Sequence, residues 1–95
     1  MDSTNCIFSD HARMEMSRRD IGEHDVLGVL QNPDQYFPIR EGRMVYQSKI
    51  KRSDLSKEYI LRVFVDMDRN PQEIVTAYVS SKVNKYWRTS NESNL

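Results

Sequence analysis

The chain divides into two parts that differ in the spacing of their apolar residues. Over residues 8–33 the apolar positions recur at helical spacing: Ala12 and Met16 lie on one face, and a second stripe runs from Val26 to Leu30. In the second half of the chain the period becomes two, which is typical of strands with one buried side. The pattern therefore predicts two helices followed by a sheet.

Local sequence features mark the ends of both helices. Ser9 is a favourable N-cap because its hydroxyl can accept a hydrogen bond from a free backbone N–H, and a helix over about 10–18 follows. Gly22 is the predicted N-cap of the second helix, with acidic residues in its first turn. Pro33 ends that helix, since proline lacks an N–H and disfavours the helical conformation of the residue before it.

Three segments rich in Val, Ile and Tyr then alternate between apolar and polar residues: 43–50, 59–66 and 73–80. A loop through residues 36–38 precedes them, and polar turn formers separate them, so an antiparallel meander is the simplest arrangement. Residues 6–8 provide a short additional strand. The predicted fold is α+β, with two N-terminal helices packed on a three- to four-stranded antiparallel sheet and a short C-terminal helical turn.

Alternation assigns each strand residue to one of two faces of this sheet. One face is apolar enough to pack on the helices, and it comprises Leu61, Val63, Val65, Val75, Ala77 and Val79. The other face is half polar and carries a cation and two phenols, comprising Ile60, Arg62, Phe64 and Asp66 with Tyr46, Ser48, Thr76 and Tyr78. A functional surface is therefore expected on the second face.

Composition indicates one small soluble domain. The 95 residues are 38% hydrophobic and 29% charged, and no apolar run approaches the roughly 20 residues that a membrane-spanning helix needs. We predict a single domain over residues 1–88, a disordered polar tail over residues 89–95, a cytoplasmic location and no membrane partner. Cys6 is the only cysteine and no metal-ligand cluster or cofactor motif is present, so neither a metal nor a cofactor is expected.

The net charge of zero conceals an uneven distribution. Residues 1–39 hold three basic and seven acidic side chains, giving 3 − 7 = −4, whereas residues 40–69 hold eight basic and five acidic ones, giving +3. A basic strand half suits a nucleic-acid surface, but it is weak beside the strongly basic composition of typical RNA-cleaving toxins. A solvated face of mixed charge explains the same distribution.

Short motifs follow one another along the chain in a specific order: His11-Ala12, Met16, Arg19, Ile21, Asn32-Pro33, Gly42-Arg43-Val45-Tyr46, Leu61-Arg62-Val63, Thr76-Ala77-Tyr78, Ser81-Lys82 and Tyr86-Trp87. Over residues 7–87 they resemble a small prokaryotic family of unknown function numbered 4258, which is grouped by similarity with RelE-like and BrnT-like toxin nucleases. Two features depart from the family pattern: Asp20 stands where a glycine commonly follows the arginine, and the connection over residues 48–59 is extended.

The resemblance implies a RelE-toxin-like fold and a metal-independent endoribonuclease. Such cleavage requires a base, an acid and cations that stabilise the charge on the phosphorane. The residues proposed as catalytic are His11, Arg62 and Tyr78, and those proposed to bind substrate are Arg19, Tyr46, Thr76 and Lys82. The expected partners are RNA, an antitoxin-like protein that covers the sheet face, and a second copy of the chain forming a homodimer.

Several of these residues also have a structural explanation. His11 caps its helix or packs against the sheet, Arg62 pairs with Asp66 or Glu58, and the tyrosines fill a half-buried sheet face. The alternative function is accordingly a non-catalytic domain that uses the same face to bind a protein or a nucleic acid. The two functions differ in whether the polar groups meet in an open pocket or are consumed in internal pairs.

Overall fold

The computed structural model describes residues 6–52 and 56–89, which form one five-stranded sheet with helices on both sides. In chain order the elements are β1 (Ile7–Phe8), α1 (Asp10–Arg18), α2 (Glu23–Gln31), β2 (Gln35–Arg40), β3 (Arg43–Ile50), β4 (Tyr59–Asp66), β5 (Glu73–Ser80) and α3 (Val83–Tyr86). The α+β class, both N-terminal helices and the C-terminal helical turn are therefore confirmed.

The predicted helix ends are confirmed by their capping contacts. The Ser9 hydroxyl accepts a hydrogen bond of 2.9 Å from the Ala12 N–H at the start of α1. Gly22 is the N-cap of α2, and Asn32 is its C-cap, directly before Pro33. Between the helices, Asp20 has φ 58°, a left-handed conformation that glycine adopts most easily. This geometry accounts for the glycine that the family pattern has at this position.

The sheet differs from the prediction of three to four antiparallel strands. Its order is β1-β5-β4-β3-β2, and β1 runs parallel to β5, so the sheet is mixed. The segment predicted to be a loop forms β2, which pairs with β3 at the edge of the sheet. Pro38 suggested a loop, but an edge strand tolerates proline because one side of its backbone has no strand to donate to.

The core lies between the two N-terminal helices and one face of β4 and β5, which we call the helix face. Its buried residues are Ala12, Met16, Ile21, Val26, Val29, Leu30, Leu61, Val63, Val65, Ile74 and Ala77. The strand residues predicted to pack on the helices are confirmed, except that Ile74 occupies the place expected for Val75. A register shift after Phe64 pairs Val65 with Ile74 and leaves Val75 as the extra residue of a β-bulge.

The opposite face, which we call the polar face, contains Arg62 but not Tyr46 or Ser48. Tyr46 pairs with Val63 and Ser48 pairs with Leu61, so both lie on the helix face. The prediction for these two residues was wrong because a one-residue change of register moves every side chain of a strand to the other face.

The C-terminal segment, residues 82–88, crosses the polar face from the end of β5 to β2. Its far end is attached to β2: the Arg88 N–H donates to Gln35 Oε1 at 3.1 Å, and the Arg88 guanidinium lies 3.6 Å from the centre of the Phe37 ring. Lys49 lies 4.1 Å from the centre of the Trp87 ring. The polar face is thus partly covered by polar and cation–π contacts.

Two further predictions are a disordered C-terminal tail and the absence of a membrane-spanning helix. Of the tail predicted to be disordered, residues 90–95 lie outside the described residues. Within the described part, every helix is too short and too polar to cross a bilayer.

Candidate functional site

Arg62 is the centre of the polar face. It lies on the middle strand, in register with Gln47 of β3 and Tyr78 of β5. The residue is only 8% exposed. Its Nε donates to Gln47 Oε1 at 2.8 Å, and its Nη1 donates to the Tyr78 hydroxyl at 2.8 Å. Neighbouring strands therefore fix the direction of the guanidinium.

Among the described residues, no carboxylate forms an ion pair with Arg62. Arg43 Nε lies 2.6 Å from Asp66 Oδ1, and this hydrogen bond holds the pKa of Asp66 below its usual value. Glu58 Oε1 lies 3.9 Å from Lys49 Nζ. The predicted pairing of Arg62 with Asp66 or Glu58 is therefore wrong. Asp66 pairs with Arg43 and Glu58 pairs with Lys49 instead.

Aromatic rings surround Arg62 in place of an anion. Its guanidinium carbon lies 4.3 Å from the centre of the Tyr86 ring and 5.3 Å from that of Phe64. Cation–π contacts of this kind stabilise a desolvated cation by a few kcal/mol at most. They leave the positive charge of Arg62 without a negative charge among residues 6–52 and 56–89 to balance it.

The two phenols beside Arg62 have pKa values that shift in opposite directions. Burial is the main cause of a raised pKa at Tyr78. The hydrogen bond from Tyr78 is the main cause of a lowered pKa at Tyr86, and the positive charges of Lys85 and Arg62 act in the same direction. Pairs of groups whose pKa values move apart are candidates for acid and base roles. Tyr86 is the phenol of the pair that loses its proton more readily.

Gln47 holds the site together. It is fully buried, and besides accepting from Arg62 it donates to Gln35 Oε1 at 2.8 Å and to the Tyr86 carbonyl at 3.0 Å. The amide therefore connects the arginine to β2 and to the C-terminal segment. Alternation from the predicted register put Gln47 on the helix face, so the sequence did not identify it.

The C-terminal segment presents a group of cations beside these phenols. Lys82, Lys85 and Arg88 are exposed, and none forms an ion pair with another described residue. A cavity of about 510 Å³ borders the first part of this segment, and it is lined by Lys57, Glu58, Ser81, Lys82, Val83, Asn84 and Lys85. Three lysines against one glutamate suit an anionic ligand such as a phosphate group.

The structure brings four of the predicted site residues to one region. Arg62 and Tyr78 are hydrogen-bonded to each other. Thr76 pairs with Phe64 and shares the polar face with them. Lys82 begins the C-terminal segment that lies over this face.

The other predicted site residues lie apart from Arg62. His11 is an exposed residue of α1, on the far side of the sheet from the polar face. Arg19, at the end of the same helix, donates to the Ala77 carbonyl at 2.9 Å and pairs with Glu15. Tyr46 packs beside the core on the helix face. His11 therefore does not share a cleft with Arg62 and Tyr78.

Fold and site together define a small α+β domain with a mixed five-stranded sheet and a buried arginine–tyrosine network on its polar face. The family model described as Domain of unknown function (DUF4258) matches residues 8–79, and the chain belongs to that family. The match includes Arg62 and Tyr78 and ends before the C-terminal segment.

No curated protein and no solved structure matches the chain. The likeness to RelE-like and BrnT-like toxin nucleases therefore rests on the sequence motifs and stays a prediction.

Proposed function

We propose that this domain binds RNA through the polar face of its sheet and the C-terminal segment that crosses it. The observation that carries the proposal is Arg62, a buried guanidinium for which the described residues supply no carboxylate. Burying a charge costs several kcal/mol in lost hydration unless an opposite charge compensates. A backbone phosphate of RNA would supply the missing negative charge.

The surroundings of Arg62 suit RNA in two further respects. Lys82, Lys85 and Arg88 form a short basic ridge along the C-terminal segment, and such a ridge attracts phosphates. Tyr86 and Trp87 are half-buried within this ridge and present aromatic surface next to the cations. Alternating cations and aromatic rings are the usual means of binding single strands, whose bases are free to stack.

Removing cations from the ridge tests this function. The double variant Lys85→Gln/Arg88→Gln should bind a fluorescein-labelled oligouridine of about 12 nucleotides more weakly, as measured by fluorescence anisotropy. If each side chain contacts a phosphate, the slope of log K against log salt should fall by about 0.7 per contact, or about 1.4 in total.

The matched control is Arg13→Gln/Arg18→Gln, which removes the same charge from α1 on the helix face. Its salt slope should equal that of the unmodified chain. Equal slopes for both double variants would show that binding follows net charge alone, and would contradict a site on the polar face.

A second candidate is metal-independent cleavage of the bound RNA, the activity implied by the resemblance to RelE-like toxins. The opposite pKa shifts of Tyr78 and Tyr86 favour it. In this scheme Tyr86, once it has lost its own proton to solvent, takes the proton of a 2′-hydroxyl, and that oxygen attacks the adjacent phosphorus. Arg62 stabilises the phosphorane charge, and the 5′-oxygen leaves with a proton from Tyr78, giving a 2′,3′-cyclic phosphate.

Cleavage is tested with labelled RNA in the presence of EDTA. Tyr86→Phe should abolish cleavage while binding persists, because only the ionisable oxygen is lost. His11→Ala should cleave normally, since His11 lies across the sheet. Loss of cleavage in His11→Ala with normal cleavage in Tyr86→Phe would contradict this scheme, and intact RNA with every chain would contradict catalysis.

A further inference from the structure

A second cavity lies where the end of β5 meets the start of β4 and the residues that follow β3. It measures about 420 Å³ and is lined by Arg19, Arg52, Tyr59, Tyr78 and Val79. Its lining contains two guanidinium groups and two phenols but no carboxylate. It differs from the lysine-lined cavity beside the C-terminal segment, with which it shares no residue.

The two arginines of this cavity are held in different ways. Arg19 is positioned by its hydrogen bond to the Ala77 carbonyl and by its pairing with Glu15, yet its side chain remains 41% exposed. Glu15 is shared with Arg18, so one carboxylate balances two guanidinium groups. Arg52 is half-buried and pairs with no carboxylate of the described residues. The cavity therefore keeps a net positive charge.

The sheet edge adds a backbone donor to this lining. β1 pairs only with Glu73 and Ile74, so the later part of β5 has no strand beside it in the described chain. The Ala77 carbonyl accepts its hydrogen bond from Arg19, outside the sheet. In an antiparallel pair the outward direction recurs at every second residue, so the Val79 N–H also points away from β4, and Val79 is one of the residues that line the cavity.

We propose that this cavity binds a phosphate monoester. Such a group carries a charge of about −1.5 to −2 at neutral pH and three terminal oxygens, which matches two guanidinium groups together with the Tyr59 phenol and a backbone donor. A carboxylate would leave several of these donors unused. The phosphate belongs either to a small molecule or to the end of an RNA strand, and the second source rests on the RNA binding proposed above.

The test uses inorganic phosphate as the probe, titrated into the full chain at constant ionic strength and followed by backbone and arginine NMR signals. Phosphate should shift the Val79 amide and the side-chain signals of Arg19 and Arg52, and an equal concentration of acetate should shift them much less. Arg52→Gln should raise the Kd for phosphate by at least about tenfold, the loss expected for a charge-assisted hydrogen bond.

The matched control is Lys51→Gln, which removes the same charge from the neighbouring residue, an exposed one outside the cavity lining. It should change the Kd for phosphate by less than about twofold. Equal effects of Arg52→Gln and Lys51→Gln, or no shift at Val79, would overturn the proposal.

A second comparison identifies the source of the phosphate. An oligouridine with a 5′-phosphate should bind more tightly than its 5′-hydroxyl counterpart, and Arg52→Gln should remove the difference, if the ligand is an RNA end. Binding of inorganic phosphate with no preference between the two RNAs would support the site and assign it to a small molecule. The Lys85→Gln/Arg88→Gln variant should keep the phosphate-induced shifts of Val79, Arg19 and Arg52, so failure of the RNA proposal and failure of this one are distinguishable.

Discussion

Replacing Gln47 with leucine should lower the free energy of unfolding by about 2–4 kcal/mol. The change keeps the side-chain volume similar but removes three hydrogen bonds, to Arg62, Gln35 and the Tyr86 carbonyl. The largest loss is at Arg62, because a buried charged donor without its acceptor costs about 1.5–3 kcal/mol. The other two partners are nearer to solvent and together contribute about 0.5–1 kcal/mol.

Urea denaturation followed by circular dichroism measures this loss, provided that unfolding is two-state. In a domain of this size a loss of 2–4 kcal/mol lowers Tm by roughly 10–25 °C. Gln31→Leu is the control, since Gln31 is an exposed residue at the end of α2 and its substitution should change stability by no more than about 0.5 kcal/mol.

A double-mutant cycle separates the contribution of the Arg62 hydrogen bond. In an Arg62→Met background the Nε–H is absent, so Gln47→Leu should cost only about 1 kcal/mol. The difference between the two backgrounds is then about 1.5–3 kcal/mol. An equal cost of Gln47→Leu in both backgrounds, or a total loss below about 1 kcal/mol, would refute the argument that Gln47 exists to hold a buried cation.

Alanine substitutions at two glycines should change the stability of the fold in opposite directions. Gly28→Ala should stabilise the fold by about 0.5–1 kcal/mol, because the position is helical and an added Cβ meets nothing within 4 Å. Gly42→Ala should destabilise it by about 1–2 kcal/mol, because φ is +82° and the new Cβ would lie 2.8 Å from Asp68 Oδ2. Urea denaturation in which both substitutions change the free energy of unfolding in the same direction would contradict this account. Arg43 lowers the pKa of Asp66 in the folded chain, so the stability this carboxylate contributes is complete above its usual pKa near 4 and is lost as pH falls through the folded value. The stability gap between the unmodified chain and Asp66→Asn, measured in urea at neutral and at acidic pH, should therefore shrink towards zero in acid, and a constant gap would argue against the ion pair.

The strands of the meander could be predicted to the residue because their signals are local. Alternation of apolar and polar residues ends where turn formers begin, and the predicted segments 43–50, 59–66 and 73–80 coincide with β3, β4 and β5. The same holds for α1 and α2, whose caps are short-range contacts. A helix or strand whose ends are set by nearby residues can be predicted without knowledge of the rest of the fold.

Register and edges could not be predicted because they depend on contacts between distant segments. Alternation fixes which residues of one strand share a face, but not how two strands are offset. The offset that places Gln47 beside Arg62 moved Tyr46 to the helix face. β2 was missed for a related reason: the proline at position 38 excludes a central strand, and only the assembled sheet shows that this strand lies at an edge.

The same distinction between local signals and contacts between distant segments applies to the candidate site. Arg62 and Tyr78 lie on adjacent strands of a predicted meander, so their proximity could be inferred from the sequence. The predicted packing of the helices on the apolar face also places α1 on the other side of the sheet, so the grouping of His11 with Arg62 did not follow from the predicted faces. Packing of Ala12 against the helix face fixes His11 on the side of the sheet opposite Arg62.

The polar face is not arranged as stability alone would require. An apolar residue of similar volume at position 62 would bury its surface under Tyr86 and Phe64 without any loss of hydration, and replacements of this kind at buried charges are often neutral or stabilising. The chain instead surrounds a guanidinium with a buried amide and a phenol, both of which accept hydrogen bonds from it. Because these partners are neutral, they set the direction of the charge and leave it unbalanced. An oriented, unbalanced cation beside a ridge of exposed lysines is the electrostatic arrangement of a site that an anion completes, which is why Arg62→Met should reduce RNA affinity far more than it reduces stability.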